Sequence, residues 1–268
     1  IAAHLKHDNI VSTLDIFDTS TRLYLVLEFM PGGMLYDVIA QQGRFSESHA
    51  AVIMKDLFES LSYLHSHSIM HRDIKPENLL CTRNRYPLNV KLADFGFAKF
   101  IDNMEEYTLG SAVGTPYYVA PEVVKKEGYN TFCDMWSAGV IMYNLLSGKR
   151  PFEGTKRPEV LAKIKEGQFT FPNEDWDDIS AEAKRLIRGL LQVDPSKRLS
   201  ARGALNHPWF EIQLNMTAEQ QKNLRAKVEN LSTNKPSNQR FKHAVQTIIV
   251  ANRFQLHRLE SSDSDDED

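Results

Sequence analysis

Two short stretches hold most of the residues able to do chemistry: His71-Arg72-Asp73-Ile74-Lys75-Pro76-Glu77-Asn78-Leu79-Leu80 and, further on, Leu92-Ala93-Asp94-Phe95-Gly96. Their types fit phosphoryl transfer. Moving the terminal phosphate of ATP to a hydroxyl asks for an acceptor at that hydroxyl, cations over the phosphate oxygens and little covalent work from the protein. Asp73 can orient and deprotonate the acceptor hydroxyl, and Lys75 can reach the transferring phosphate. Asn78 and Asp94 offer hard oxygen ligands of the kind Mg2+ prefers. A lone His-Arg-Asp or Asp-Phe-Gly is better read as a turn with a solvated carboxylate. Here the spacing from Asp73 to Asn78, the β-prone run Asn89-Val90-Lys91-Leu92 before Asp94, and Ala120-Pro121-Glu122 beyond are independent matches. Their joint occurrence argues against accident.

In this order the motifs resemble the signature set of the eukaryotic protein kinase family, and the resemblance runs from about residue 1 to 210. It implies an α+β, kinase-like two-lobed fold, with a mostly helical large lobe and only the last strands of the small lobe. ATP and Mg2+ are the implied cofactors. By the same resemblance Leu27 limits the back of the adenine pocket, backbone groups of Glu28 and Met30 hold the adenine edge, and Leu80 is the apolar floor beneath it. His71 and Phe95 should pack together and orient Asp94; Asp134 should brace the backbone of the catalytic loop; Glu122 and Arg198 should form an internal ion pair. Lys75, and Thr115 in Gly114-Thr115-Pro116, are similar to the serine/threonine subclass, with Thr115 able to hydrogen-bond both Asp73 and Lys75.

Between Asp94 and Glu122 runs the implied activation segment. Arg72 is placed to pair with a phosphate added there, at Ser111 first and Thr108 second, which would order the loop through charge-assisted hydrogen bonds. Unmodified loop hydroxyls are the plainer alternative. Glu77 resembles the acid that many basophilic kinases use to read an arginine before the target residue. Yet Met34 follows Gly32-Gly33 where such kinases usually carry a glutamate, so a weaker demand for upstream arginine is expected.

The supporting elements follow from pattern. Ile1 to Leu5 reads as a short helical end, followed by strands at about Val11 to Phe17 and Leu23 to Phe29. The second is almost wholly apolar, as expected of a strand buried on both faces. Pro31-Gly32-Gly33 breaks it. Leu35, Val38 and Ile39 mark one helix face, and Val52, Ile53, Leu57, Leu61 and Leu64 a second helix opened by Ser46. His65 and His67, at its end, read as solvated or capping, and with no acidic or Cys partner near them a metal role is not expected. Further helices are expected at about Thr131 to Leu146, Arg157 to Glu166, Ala181 to Leu191 and Ala201 to Leu205.

After Phe210 the pattern changes. Thr217 to Leu231 is polar and helical, with Thr217 and Gln220 in capping-box positions. Residues 240–259 carry Phe241, Val245, Ile248, Ile249 and Phe254 among basic residues and no acid, which suits a calmodulin-type groove. A helix docked permanently on the large lobe is the competing reading, and a membrane surface a weaker third. The acidic end, from Ser261 to Asp268, reads as disordered. The expected division is thus 1–30 as small-lobe remnant and hinge, 31–210 as large lobe, 211–259 as regulatory helical tail and 260–268 as acidic tail.

Composition sets outer limits. With 268 residues, 42% hydrophobic and 25% charged, the chain can bury a sizeable core. A net charge of -3 gives no general pull towards nucleic acid. No run approaches the roughly 18 apolar residues of a membrane span. Cys81 and Cys133 lack metal-ligand or CxxC company, which fits a reducing cytoplasmic or nuclear setting. Protein substrates are the expected partners. The chain starts at Ile1 without an initiator Met, as a fragment would, and the Gly-rich loop, strand lysine and helix glutamate of a complete kinase are not in it. Two explanations compete: an incomplete chain whose parent is a normal kinase, favoured because every later motif is intact, or a catalytically inactive scaffold binding partners through the large lobe and the basic tail helix.

Overall fold

The computed structural model describes residues 1–101 and 117–214. Thr108, Ser111 and Thr115, and the tail stretches 215–231 and 240–268, lie outside the described residues. The order is β1 (Thr13–Asp18), β2 (Leu23–Leu27), α1 (Leu35–Gln42), α2 (Glu47–Ser66), β3 (Ile69–Met70), β4 (Leu79–Cys81), β5 (Val90–Leu92) and β6 (Lys99–Phe100). Beyond these come α3 (Pro121–Lys125), α4 (Phe132–Ser147), α5 (Arg157–Glu166), α6 (Asn173–Trp176), α7 (Ala181–Leu190), α8 (Ala201–Leu205) and α9 (Pro208–Leu214). The expected α+β class, rich in helices, is what the chain forms.

The core is built around α2 and α4. Ser46 caps α2 by accepting the His49 N–H at 3.4 Å, satisfying one of the unpaired donors of the first turn. Ile53, Leu57, Leu61 and Leu64 are buried, whereas Val52 is only half-buried. Every residue from Cys133 to Ser147 in α4 is buried, and fully burying a Leu, Ile or Met side chain is worth roughly 1.5–3 kcal/mol. A Cβ at Gly139 would sit 2.8 Å from the Leu190 Cβ, so glycine is what lets α4 and α7 approach this closely. Polar ties hold the frame in register. The Glu47 carboxylate accepts from the Ser180 N–H and hydroxyl and from the Trp209 indole, joining α2 to α7 and α9. Asp56 accepts the Val90 N–H at 2.9 Å, joining α2 to β5. Glu122 and Arg198 form the expected pair, bidentate at 2.7 and 2.9 Å, with side chains 2% and 0% exposed.

Two sequence readings need correction. β2 is not buried on both faces: its residues are 40–52% exposed. The run is apolar enough, but β2 pairs antiparallel with β1 in a sheet of two strands, so among the described residues both its faces stay open. His65 is not solvated either. Its side chain is 14% exposed and its Nε2 lies 3.0 Å from Asp134 Oδ2, a partner 69 residues away. His67 is exposed, as expected, with Nδ1 2.8 Å from the Tyr63 carbonyl. The short helices α3, α6 and α9 carry too few turns to show a period.

Candidate active site

The stretch from His71 to Asn78 runs between the two-residue strand β3 and strand β4. Too short to hold its own shape, it is fixed from below by α4. Asp134 accepts the His71 N–H at 2.9 Å on Oδ2 and the Arg72 N–H at 2.8 Å on Oδ1. Burial works to raise the Asp134 carboxyl, but the bonds from His65 and His71 outweigh it and hold the group below its ordinary value. This grip permits the left-handed conformation of Arg72, φ +68°, which costs a residue with a Cβ roughly 1–2 kcal/mol.

His71 is fully buried. Its Nδ1 accepts the Asp73 N–H at 3.3 Å while Nε2 lies 3.1 Å from the Ala93 carbonyl. That pattern needs the neutral Nε2–H tautomer, and burial pushes the imidazole below its ordinary value in agreement. The ring meets Phe95 edge-on, centroids 5.0 Å apart. One histidine thus couples the two chemical stretches. Beside it Ala93 N–H donates to the Asn78 carbonyl at 2.9 Å, and Asp94 takes φ +61° with its Oδ1 accepting the Gly96 N–H at 3.1 Å.

On this frame Asp73 is clamped. Its Oδ2 receives Lys75 Nζ at 2.7 Å and Asn78 Nδ2 at 2.9 Å, and Asn78 Nδ2 also reaches the Asp73 carbonyl at 2.7 Å. Among the described residues the other carboxylate oxygen, Oδ1, carries no bond, so a half-buried base is held with one face committed and one available. Asn78 spends its amide nitrogen on Asp73, and among the described residues its side-chain Oδ1 carries no bond, nor does Asp94 Oδ2. Such a pair of hard oxygen donors fits Mg2+, which commonly takes one or two side chains and completes its shell with water and phosphate.

The adenine-floor expectation finds a small apolar cluster: Val11, Leu80 and Ala93 are buried and Met30 and Met34 pack against them. Leu27 is 42% exposed and closes no pocket among the described residues. The Glu28 carbonyl and Met30 N–H make no hydrogen bond there, so both are free for an adenine edge. Sequence reasoning missed how this segment is held. The Glu28 carboxylate accepts the Ser12 N–H at 2.7 Å and Lys91 Nζ at 2.8 and 2.9 Å. Burial works to raise that carboxyl, but Lys91 and Ser12 bring it below its usual value. Arg72, expected to await a phosphate, donates to the Phe97 carbonyl at 2.6 Å and the Tyr129 hydroxyl at 3.1 Å. A concavity of about 570 Å³ lined by Tyr143, Arg150, Phe169 and Asp175, among others, holds none of Asp73, Lys75, Asn78 and Asp94.

A half-buried base clamped by a lysine and an asparagine, next to a second acid on a histidine-coupled turn, defines a class of phosphoryl-transfer enzyme. Residues 1–210 match the family described as "Protein kinase domain". The chain is 47% identical over 211 residues to Myosin light chain kinase A of Dictyostelium discoideum, covering 79% of this chain and 71% of that protein. It is 44% identical to Serine/threonine-protein kinase DCLK3 of Mus musculus and 42% identical to Calcium-dependent protein kinase 3 of Plasmodium berghei. Of those two it spans 27% and 38% of the length. The chain belongs to the protein kinase family, among serine/threonine kinases of the calcium/calmodulin-dependent group.

Proposed function

We propose that this site transfers the terminal phosphoryl group of ATP to serine or threonine hydroxyls of proteins. The observation that carries the reading is the Asp73 carboxylate, held on one oxygen by Lys75 and Asn78 and unbonded on the other. The acceptor oxygen forms its bond to the γ-phosphorus as the bond to the β–γ bridging oxygen breaks, ADP leaves with that electron pair, and the acceptor's proton passes to Asp73. Lys75 keeps its ammonium beside the reacting oxygens, where it offsets charge that builds up during transfer. Mg2+ held by Asn78 and Asp94 would neutralise charge on the phosphate oxygens. By the family resemblance Leu80 would form the floor under the adenine, with Glu28 and Met30 at its edge and Leu27 at its back, and Thr115 would assist Asp73 and Lys75.

Regulation is read from charge pattern. Arg72 exchanges its present partners for a phosphate on Ser111, or on Thr108, and the basic stretch 240–259 binds calmodulin. The second point is supported by its lack of acids and by one relative being called a calcium-dependent protein kinase. The full-length protein, given Mg2+, ATP and a serine- and threonine-containing peptide library, should yield phosphoserine or phosphothreonine, more of it when calcium and calmodulin are added. No transfer to any peptide, with or without residues 240–268, would rule the reading out; transfer indifferent to calmodulin would rule out only the regulation.

A further inference from the structure

Two consecutive residues of the catalytic loop take hold of the Asp94 turn from opposite sides. His71 donates from Nε2 to the Ala93 carbonyl at 3.1 Å, and Arg72 donates from Nε to the Phe97 carbonyl at 2.6 Å. Asp94 lies between those points, in a turn closed by Gly96 N–H on Asp94 Oδ1 and by Ala98 N–H on the Phe95 carbonyl, each at 3.1 Å. The two grips differ in kind. His71 is locked in the core, whereas Arg72 is half-buried and carries a long side chain that loses rotamer freedom when it is fixed. Among the described residues no carboxylate pairs with its guanidinium. A phenol holds it instead: Nη1 donates to the Tyr129 hydroxyl at 3.1 Å.

Tyr129 stands just before α4, on backbone that is itself tied down. Asn130 Oδ1 accepts the Phe132 N–H at 3.0 Å, and the Asn130 carbonyl accepts the Cys133 N–H at 3.0 Å. In the same turn Asp134 accepts the Arg72 N–H at 2.8 Å. The start of one buried helix thus fixes Arg72 twice, by its backbone through Asp134 and by its guanidinium through Tyr129. Hydrogen bonds from a charged donor are roughly twice as strong as neutral ones. Without the hydroxyl the guanidinium keeps only the Phe97 carbonyl, and the far side of the Asp94 turn loses its fixed donor. Resting on the phosphoryl-transfer reading above, we propose that Tyr129 is a positioning residue: its hydroxyl pins Arg72 across the Phe97 carbonyl, so that the turn bearing Asp94 is gripped at both ends with no phosphate on the protein. The site does not wait for modification to be assembled.

The test compares full-length wild type with Tyr129→Phe, both treated with phosphatase, so that the two differ by one oxygen. Amide hydrogen exchange at Gly96 and Ala98 should quicken about tenfold in the variant and stay as in wild type across α4. In phosphate transfer to a serine peptide, the Mg2+ concentration for half-maximal rate should rise about as much, with the KM for the peptide unchanged. Adding Tyr129→Phe to Arg72→Gln should alter neither quantity further, because the hydroxyl acts through the guanidinium. Wild-type exchange and Mg2+ demand in Tyr129→Phe overturn the proposal. So does an effect of equal size in the Arg72→Gln background, or faster exchange spread over α4, which marks a merely structural residue. A wild type that transfers no phosphate at any Mg2+ concentration overturns the phosphoryl-transfer reading and this inference with it, whereas an active wild type matched by Tyr129→Phe sinks the inference alone.

Discussion

β2 and the C-terminal half of α4 are both apolar runs, Leu23-Tyr24-Leu25-Val26-Leu27 in one and Val140-Ile141-Met142-Tyr143-Asn144-Leu145-Leu146 in the other, yet the first is exposed throughout and the second buried throughout. Hydrophobicity states a need, and neighbours decide whether it is met. α4 has α2 and α7 against it; β2 has a single strand beside it among the described residues. The difference runs through the site. Asp73, Lys75, Asn78 and Asp94 rest on the buried frame through Asp134 and His71, while Leu27, Glu28 and Met30 belong to the open sheet and the turn after it. The chemical half is prebuilt, and the nucleotide-edge half hangs on a few bonds.

The largest effect expected from breaking the buried half is at the Glu122–Arg198 pair. Glu122→Ala leaves a guanidinium buried without its acid and should cost about 3–5 kcal/mol in urea unfolding. Leu145→Ala, a core truncation in α4, should cost about 2–5 kcal/mol in the same experiment. Acid should act next. Burial of His71 and partial burial of His49 hold both below their ordinary 6.5, His49 at about 4, so the unfolded chain takes up protons that the folded chain refuses. Their contribution is complete above pH 6.5 and is lost as pH falls from there towards 4; in His49→Gln the urea midpoint should fall less steeply over that window.

On the open side effects shrink. Lys91→Met removes the tie between β5 and Glu28, a half-exposed pair worth up to about 1 kcal/mol, so the KM for ATP should rise a few-fold with kcat nearly unchanged. Leu25→Ala should shift stability by no more than about 0.5 kcal/mol. A loss as large as that of Leu145→Ala would show that β2 is covered and would end the comparison.

The chemical half was legible in the sequence because its members are close along the chain: Asp73, Lys75 and Asn78 share one loop and Asp94 opens the next. Ser46 marked the start of α2, and the expected ranges Arg157 to Glu166 and Ala201 to Leu205 coincide with α5 and α8. Partners distant in sequence were recoverable only by resemblance, as for Asp134 and Arg198, or not at all. His65 meets Asp134, Lys91 meets Glu28 and Arg150 stacks on Tyr117 without any local signal. The exposure of β2 was illegible for a different reason: a strand's own residues do not say how many strands lie beside it.

The most direct test is to compare wild-type and Asp73→Asn full-length protein for transfer of γ-phosphate from ATP to a serine peptide, with nucleotide affinity measured alongside. Asp73→Asn keeps the shape of the side chain and removes its basicity, so transfer should fall by about 100-fold or more while ATP binds as before. Equal transfer by both proteins would contradict the assignment of the reaction to this carboxylate.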